Sequence, residues 1–202
     1  MTKDRLLAFS DGVFAILITI LVLEFTVPQF QSGHLLIAMV HQWPILIAYI
    51  VSYFYVGTLW LFHHDYFNAL ESIDRNLNLI NLLMLFTITL INYPMALVAD
   101  TLSRGNLNDI RVAFITYDFV ALIISFMFYV LYSYIGKHHE LKSKEMQDAA
   151  FAKNKYDPII SVSLYILAII SSLFSIPIGA IFLLAGIGFH FVAYLRLSNV
   201  LG

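Results

Sequence analysis

A chain of 202 residues that is 60% hydrophobic, only 12% charged and has a mean hydropathy of +0.83 carries more apolar surface than a water-soluble domain of its size has use for. The apolar residues come in continuous blocks of about 20, enough for a helix to cross a bilayer core of about 30 Å once, and this continuity excludes spanning strands, which would alternate. Cysteine is absent, so there is no disulfide framework and no thiolate chemistry, and the net charge of −2 says less than where the charges fall.

The first block, residues 8–27, opens on "FSDG" and stays almost wholly apolar as far as Glu24. It lacks a small-residue cleavage site and carries Asp11, so it reads as a retained helix rather than a secretory signal. At about 100° per residue, Phe9, Gly12, Ile16, Ile20 and Leu23 fall on one stripe, flanked by Val13 and Thr19, while Ser10 and Asp11 point elsewhere. A carboxylate facing lipid is costly, so Asp11 needs partners inside the protein; the plainer alternative is that Ser10 or Asp11 caps a helix start. Thr19 either faces along the stripe or bonds back to the Ala15 carbonyl. Glu24 either concentrates cations at the outer end or is a solvated helix end.

The second block, residues 37–62, begins near Trp43 and Tyr49, which with Tyr93 and Tyr156 suit an interfacial aromatic belt, and it runs into "GTLWLFHHDYF". The third, residues 78–99, is preceded by "RNLNLINLL". The remaining blocks are 112–135, 158–176 and 178–197, the last two joined as a hairpin by "FSIPIG" around Pro177. The loop "KHHELKSKEMQDAAFAKNKYD" is either a short interfacial helix carrying Met146, Ala149, Ala150 and Phe151 or a solvated linker. Residues 1–202 thus form one all-α polytopic domain of six transmembrane helices. Lys3, Arg5, Arg75, the five lysines of that loop and Arg196 fall on one side, against Arg104 and Arg111 on the other. This bias predicts a multi-pass protein of the cell membrane with both termini cytoplasmic.

By that topology Trp60, His63, His64 and Asp65 at the end of the second span lie at the depth of Ser10 and Asp11, as do Asn76, Asn78 and Asn81 at the start of the third. A buried network of Arg5, Ser10, Asp11, an indole donor, an imidazole and an amide would satisfy these groups together. Arg5, Phe9, Ser10 and Asp11 resemble the "RxxxFSD" signature on the first helix of the transmembrane protein 175 family of potassium channels in its short prokaryotic form. Trp60, His63, His64 and the Asn-rich start of the third span are similar to its companion motifs. The resemblance implies a potassium-selective channel, a homotetramer of six-helix subunits whose first helices line a central pore. It assigns the constriction to Ile16, Ile20 and Leu23 and a pathway threonine to Thr19. The second "FSD" repeat of the longer animal members is missing, which bears on subunit count alone.

No "TVGYG"-like carbonyl filter is present, so selectivity would come from a dewetting apolar neck in which potassium sheds water more readily than sodium. The permeant potassium ion is the sole small species expected, with no cofactor, no bound metal, no nucleic acid, and the lipid bilayer and further copies of the chain as partners. The first rival is a proton-coupled secondary transporter with Asp11 and His64 as relay; against it, no span joins a broken helix to a midplane charge. The second is a membrane metalloenzyme using His63, His64, His138, His139 and His190, whose spacing puts no two ligands at i and i+4 on one helix face. The chain is therefore not expected to be an enzyme.

Overall fold

The computed structural model describes residues 2–143 and 156–201, and the expected interfacial segment at Met146 to Phe151 lies outside the described residues. The described residues are mostly helical, with one isolated bridge between Leu70 and Lys142, and six of the helical stretches are long and apolar enough to cross a membrane: Lys3–Glu24, Trp43–Asn68, Arg75–Arg104, Leu107–Lys137, Asp157–Phe174 and Ile176–Arg196.

Helix α1 (Lys3–Ile20) starts about one turn before the apolar block does, because Leu6 and Leu7 extend the buried face formed by Ser10, Phe14, Leu17 and Leu21. Ser10 and Asp11 therefore lie well inside the helix and cap nothing; the N-cap position is Thr2. The last residues, Leu21–Glu24, wind into a tighter 3₁₀ turn. A short helix α2 (Leu35–His41) with no buried side chain precedes α3 (Trp43–Asn68), which has Pro44 in its first turn, where a missing N–H costs nothing. Helix α3 outruns the expected span because His63, Tyr66 and Phe67 continue its buried face.

The third span, read from the sequence as one block at 78–99, is two helices, α4 (Arg75–Thr89) and α5 (Asn92–Arg104). Pro94 explains the break. Its ring would clash with the carbonyl four residues back, that of Leu90, and it offers no N–H to that carbonyl, which accepts instead from the Tyr93 N–H at 3.3 Å in a tighter turn. Helix α4 is capped by Asp74, whose carboxylate accepts from the Leu77 N–H at 2.7 Å, and α5 ends at Gly105, where φ is +76°. Helix α6 (Leu107–Lys137) follows, then α7 (Asp157–Phe174) and α8 (Ile176–Leu201).

Helices α6, α7 and α8 pack as one group, with α4 and α5 on the other side of α6 and α3 between α5 and α8. Lipid supplies no hydrophobic drive between helices, so close approach and polar contacts hold them. A Cβ at Gly179 would sit 1.9 Å from Ser172 Oγ, and one at Gly186 2.7 Å from the Tyr165 ring, so the α7–α8 hairpin depends on both glycines. Buried polar pairs stitch this group, with Ser172 donating to Asp118 at 3.2 Å and Ser125 bonded to His190 at 3.1 Å, and Ser52 with Tyr117 at 2.9 Å ties α3 to it. Helix α1 rests on α3, with a smaller contact to α4, and so stands at the edge of the bundle. Its first turn is tied down by Lys3, whose ammonium donates to the Leu70 carbonyl at 2.8 Å.

Candidate functional site

Helix α1 has one face against the bundle and one open face. On the open face lie Phe9, Gly12, Ile16, Thr19 and Leu23, with Ile16 65% and Leu23 73% exposed. Ile20 is half-buried at the flank. The buried set, from Leu6 to Leu21, points opposite Gly12 and Thr19, which turns the centre of the open face by roughly 50° from the stripe read off the sequence. Thr19 thus moves from flank to centre. Its hydroxyl donates to the Ile16 carbonyl at 2.8 Å, not to that of Ala15, and the exposed oxygen keeps its capacity to accept.

Behind the N-terminal end of this face the expected polar groups meet in two branches. In the first, His63 Nε2 lies 2.7 Å from Asn81 Oδ1, the Asn81 amide donates to Ser10 Oγ at 3.1 Å, and Ser10 donates to the Leu6 carbonyl at 3.0 Å. Because the Asn81 amide nitrogen faces Ser10, its oxygen faces His63, so the imidazole carries its hydrogen on Nε2. All three side chains are buried, at 0%, 1% and 0% exposure for His63, Asn81 and Ser10. The ring of His63 stacks on Phe67 at 4.4 Å and tilts against Phe14 at 5.5 Å. In the second branch the Trp60 indole donates to Asp11 Oδ1 at 2.8 Å, with His64 Nδ1 3.9 Å from the same oxygen. Asn68 bonds His64 Nε2 at 2.7 Å. Arg5 and Phe9 stand outside both branches: each is exposed, and among the described residues no hydrogen bond or ion pair reaches Arg5.

The sequence reading missed Asn68, Phe14 and Phe67. The first and last stand four residues after His64 and His63 on the same helix, a spacing that signals contact. It also missed a pair at the other end of the first span, where Asn92, just beyond the break in the third span, donates to Glu24 at 3.3 Å. Outside the membrane the Asp74 cap also accepts from the Tyr134 hydroxyl. Burial alone would push this carboxyl up, but the bonds from Tyr134 and the Leu77 N–H outweigh it and hold Asp74 below the usual carboxylate range. His138 bonds the Tyr134 carbonyl and His190 is buried against Ser125; among the described residues no three His, Asp or Glu are placed to hold a metal ion.

A family model described as the endosomal/lysosomal potassium channel TMEM175 matches residues 5–92, which contain α1 and both branches of the network. A potassium channel of Chryseobacterium sp. (strain P1-3) is 35% identical over 187 residues, covering 92% of this chain and 91% of that protein. The chain belongs to the TMEM175 family. A potassium channel of Streptomyces collinus is 37% identical over 125 residues, 61% of each protein, so the match spans about three-fifths of that relative. The TMEM175 fold extends along the whole chain. The crystal structure of a lysosomal potassium-selective channel TMEM175 homolog from Chamaesiphon minutus aligns with a TM-score of 0.73 and 29% identity over 98% of this chain and 96% of that one.

Proposed function

We propose that this protein is the subunit of a passive potassium channel, in which the open faces of α1 from several copies, a homotetramer by family resemblance, surround a central pore. The observation that carries this reading is the combination on one helix: an apolar face exposed at Ile16 and Leu23, and a packed side fixed by a buried polar bond to α4 and a half-buried one to α3. A lipid-facing helix needs no such rotational anchor. A pore helix does, because its azimuth sets which side chains reach the axis.

From Ile16 to Leu23 the open face rises about 10 Å. Ringed by copies of itself, this stretch forms a neck in which an ion sheds part of its water, and potassium gives up its water at lower cost than sodium. Thr19, at the centre of the face with an exposed oxygen that still accepts, replaces part of the lost hydration. Ser10, Asp11, Trp60, His63, His64 and Asn81 position the helix and do not touch the ion. Following the distribution of lysine and arginine, the network end of α1 and both termini lie on the cytoplasmic side and Glu24 on the outer side. The test is the reversal potential across a bilayer holding the purified protein, with potassium on one side and sodium on the other. A value displaced toward the potassium potential supports the channel, whereas current that follows a pH gradient and not the potassium gradient overturns it.

A further inference from the structure

Helices α3, α6, α7 and α8 hold a second polar cluster, away from α1 and from the network that anchors it. Its pairs are Ser52 with Tyr117, Ser172 with Asp118 and Ser125 with His190, and the rings of Tyr55 and Tyr165 lie among them. No member is more than 7% exposed. Both tyrosine rings stand beside the imidazole, Tyr55 at 5.8 Å and Tyr165 stacked at 6.0 Å. Asp118 lies about 17 Å along α6 from Leu107, near the middle of a bilayer core. An ionisable side chain at that depth is a candidate functional site whose partners must be named. Those of Asp118 are Ser172 and Tyr165 on α7 and Tyr117 beside it on α6, with Tyr55 on α3 and His190 on α8 next in line. No lysine or arginine is among them.

Three buried oxygens of the cluster lack a partner among the described residues: Asp118 Oδ1 and the hydroxyls of Tyr55 and Tyr165, which face each other without closing a hydrogen bond. Each hydroxyl can turn to donate or to accept. The same set therefore suits a neutral carboxyl, which donates to a hydroxyl oxygen, and a carboxylate, which accepts from hydroxyls. Space for a larger ligand is taken. A Cβ at Gly179 would sit 1.9 Å from the Ser172 Oγ that bonds Asp118, and one at Gly186 3.2 Å from the Tyr165 hydroxyl. A proton fits where a metal ion with its ligand shell does not. Access is one-sided. Toward the start of α7, a cavity of about 20 Å³ between His190, Tyr66, Ser161 and Asp157 has room for one water. Asp157 turns one oxygen to Arg196 at 3.6 Å, and its other oxygen is buried with no partner among the described residues. Toward the start of α6, beyond Tyr117, about 130 Å³ is walled by Ile47, Val51, Val98, Phe114 and Leu183, and so apolar a space stays dry.

We propose that Asp118 is a proton-binding site inside each subunit, loaded from the cytoplasmic side past Asp157 through His190 and the two tyrosine hydroxyls, and closed toward the outer side. Loading forms one O–H bond at Asp118 and turns one cytoplasmic hydronium into water. Each relay group takes a hydrogen on one side and gives one up on the other, so its own composition is unchanged. The sidedness follows the lysine and arginine bias; the site itself does not rest on the pore reading.

Infrared difference spectroscopy of protein inserted in one orientation in vesicles, with pH stepped on one face at a time, reads the carbonyl stretch of protonated carboxyls. A band that appears on acidifying the cytoplasmic face and is missing from Asp118→Asn is expected. Ser172→Ala removes the hydrogen bond to Oδ2 and should move the band to higher frequency, which assigns it even where the asparagine variant fails to assemble. His190→Phe keeps a ring beside Tyr165 and removes the relay, so loading should slow by about a hundredfold while the band is retained. A band that ignores pH, or one untouched by both Asp118→Asn and Ser172→Ala in assembled protein, overturns the site. Loading from the outer face, or at the parent rate in His190→Phe, overturns the route. Potassium current without such a band leaves the pore reading standing and removes this one.

Discussion

Replacing Asn81 by leucine keeps the volume of the side chain and removes both of its hydrogen bonds. Ser10 loses an acceptor role but still donates to Leu6, so little is stranded on α1. On α3 the loss is larger. The His63 N–H, within a fully buried ring, is left without an acceptor, which costs about 1–3 kcal/mol. For a chain of this length, by the scaling of soluble domains, that lowers the melting temperature by roughly 2–12 °C. The second substitution separates the hydrogen bond from the packing: His63→Phe fits the slot between Phe14 and Phe67 and removes the stranded donor. Asn81→Leu alone should therefore unfold early, and Asn81→Leu with His63→Phe should recover most of the loss, because removing both partners of a buried bond is nearly neutral. The readout is the temperature at which the assembled species disappears from size-exclusion profiles in mild detergent. A neutral single variant, or a double variant that loses the sum of both singles, refutes the reading of this network as the anchor of α1.

Ile16→Asn should hydrate the neck, raise conductance and bring the potassium-against-sodium reversal potential toward zero; unchanged selectivity in a conducting variant would place the filter elsewhere. Leu23→Cys, in a chain with no native cysteine, should cross-link copies in pairs on mild oxidation, seen as a covalent dimer on non-reducing denaturing gels, and a persistent monomer would speak against α1 at an axis. Asp74→Ala should cost about 0.5–2 kcal/mol at neutral pH through loss of the α4 cap. The folded carboxyl titrates below its unfolded value, so its contribution is present above about pH 4 and is lost as pH falls through the folded value. The variant should therefore show a flatter acid limb in its stability profile than the parent, and equal acid slopes would rule out this assignment.

The six spans were legible because lipid imposes a minimum length on every apolar block, and the anchor was legible because polar residues within such blocks have few places to go. What the sequence hid were the features that average out or arise at a distance. Pro94 stands in plain view, yet the apolar run continues through it, so a hydropathy window sees one span where the chain makes two helices. The orientation of α1 shifted by roughly 50° from the sequence wheel because the stripe was centred on its branched residues. The true centre is fixed by what packs behind it, and small Gly12 and polar Thr19 carry no hydropathy signal. Glu24 and Asn92 meet across 68 positions, and Asp118 with Ser172 across 54, separations over which no local pattern reports a pair.

The bonds from His63 through Asn81 and Ser10 to the Leu6 carbonyl all run one way, each member committing its donor to the next. Such a row cannot be half reversed. If Ser10 turned its hydroxyl toward Asn81, the amide would have to flip, its N–H groups would face the imidazole, and the ring hydrogen would move to the other nitrogen. Two settings are therefore self-consistent and nothing lies between them. They differ in what is left over at His63 Nδ1, which has no partner among the described residues: a lone pair in the observed setting and a buried N–H in the reversed one. In effect the seat of α1 is matched to one tautomer of a histidine on its neighbour, and α1 cannot roll away from α4 without breaking the bond from Asn81 to Ser10.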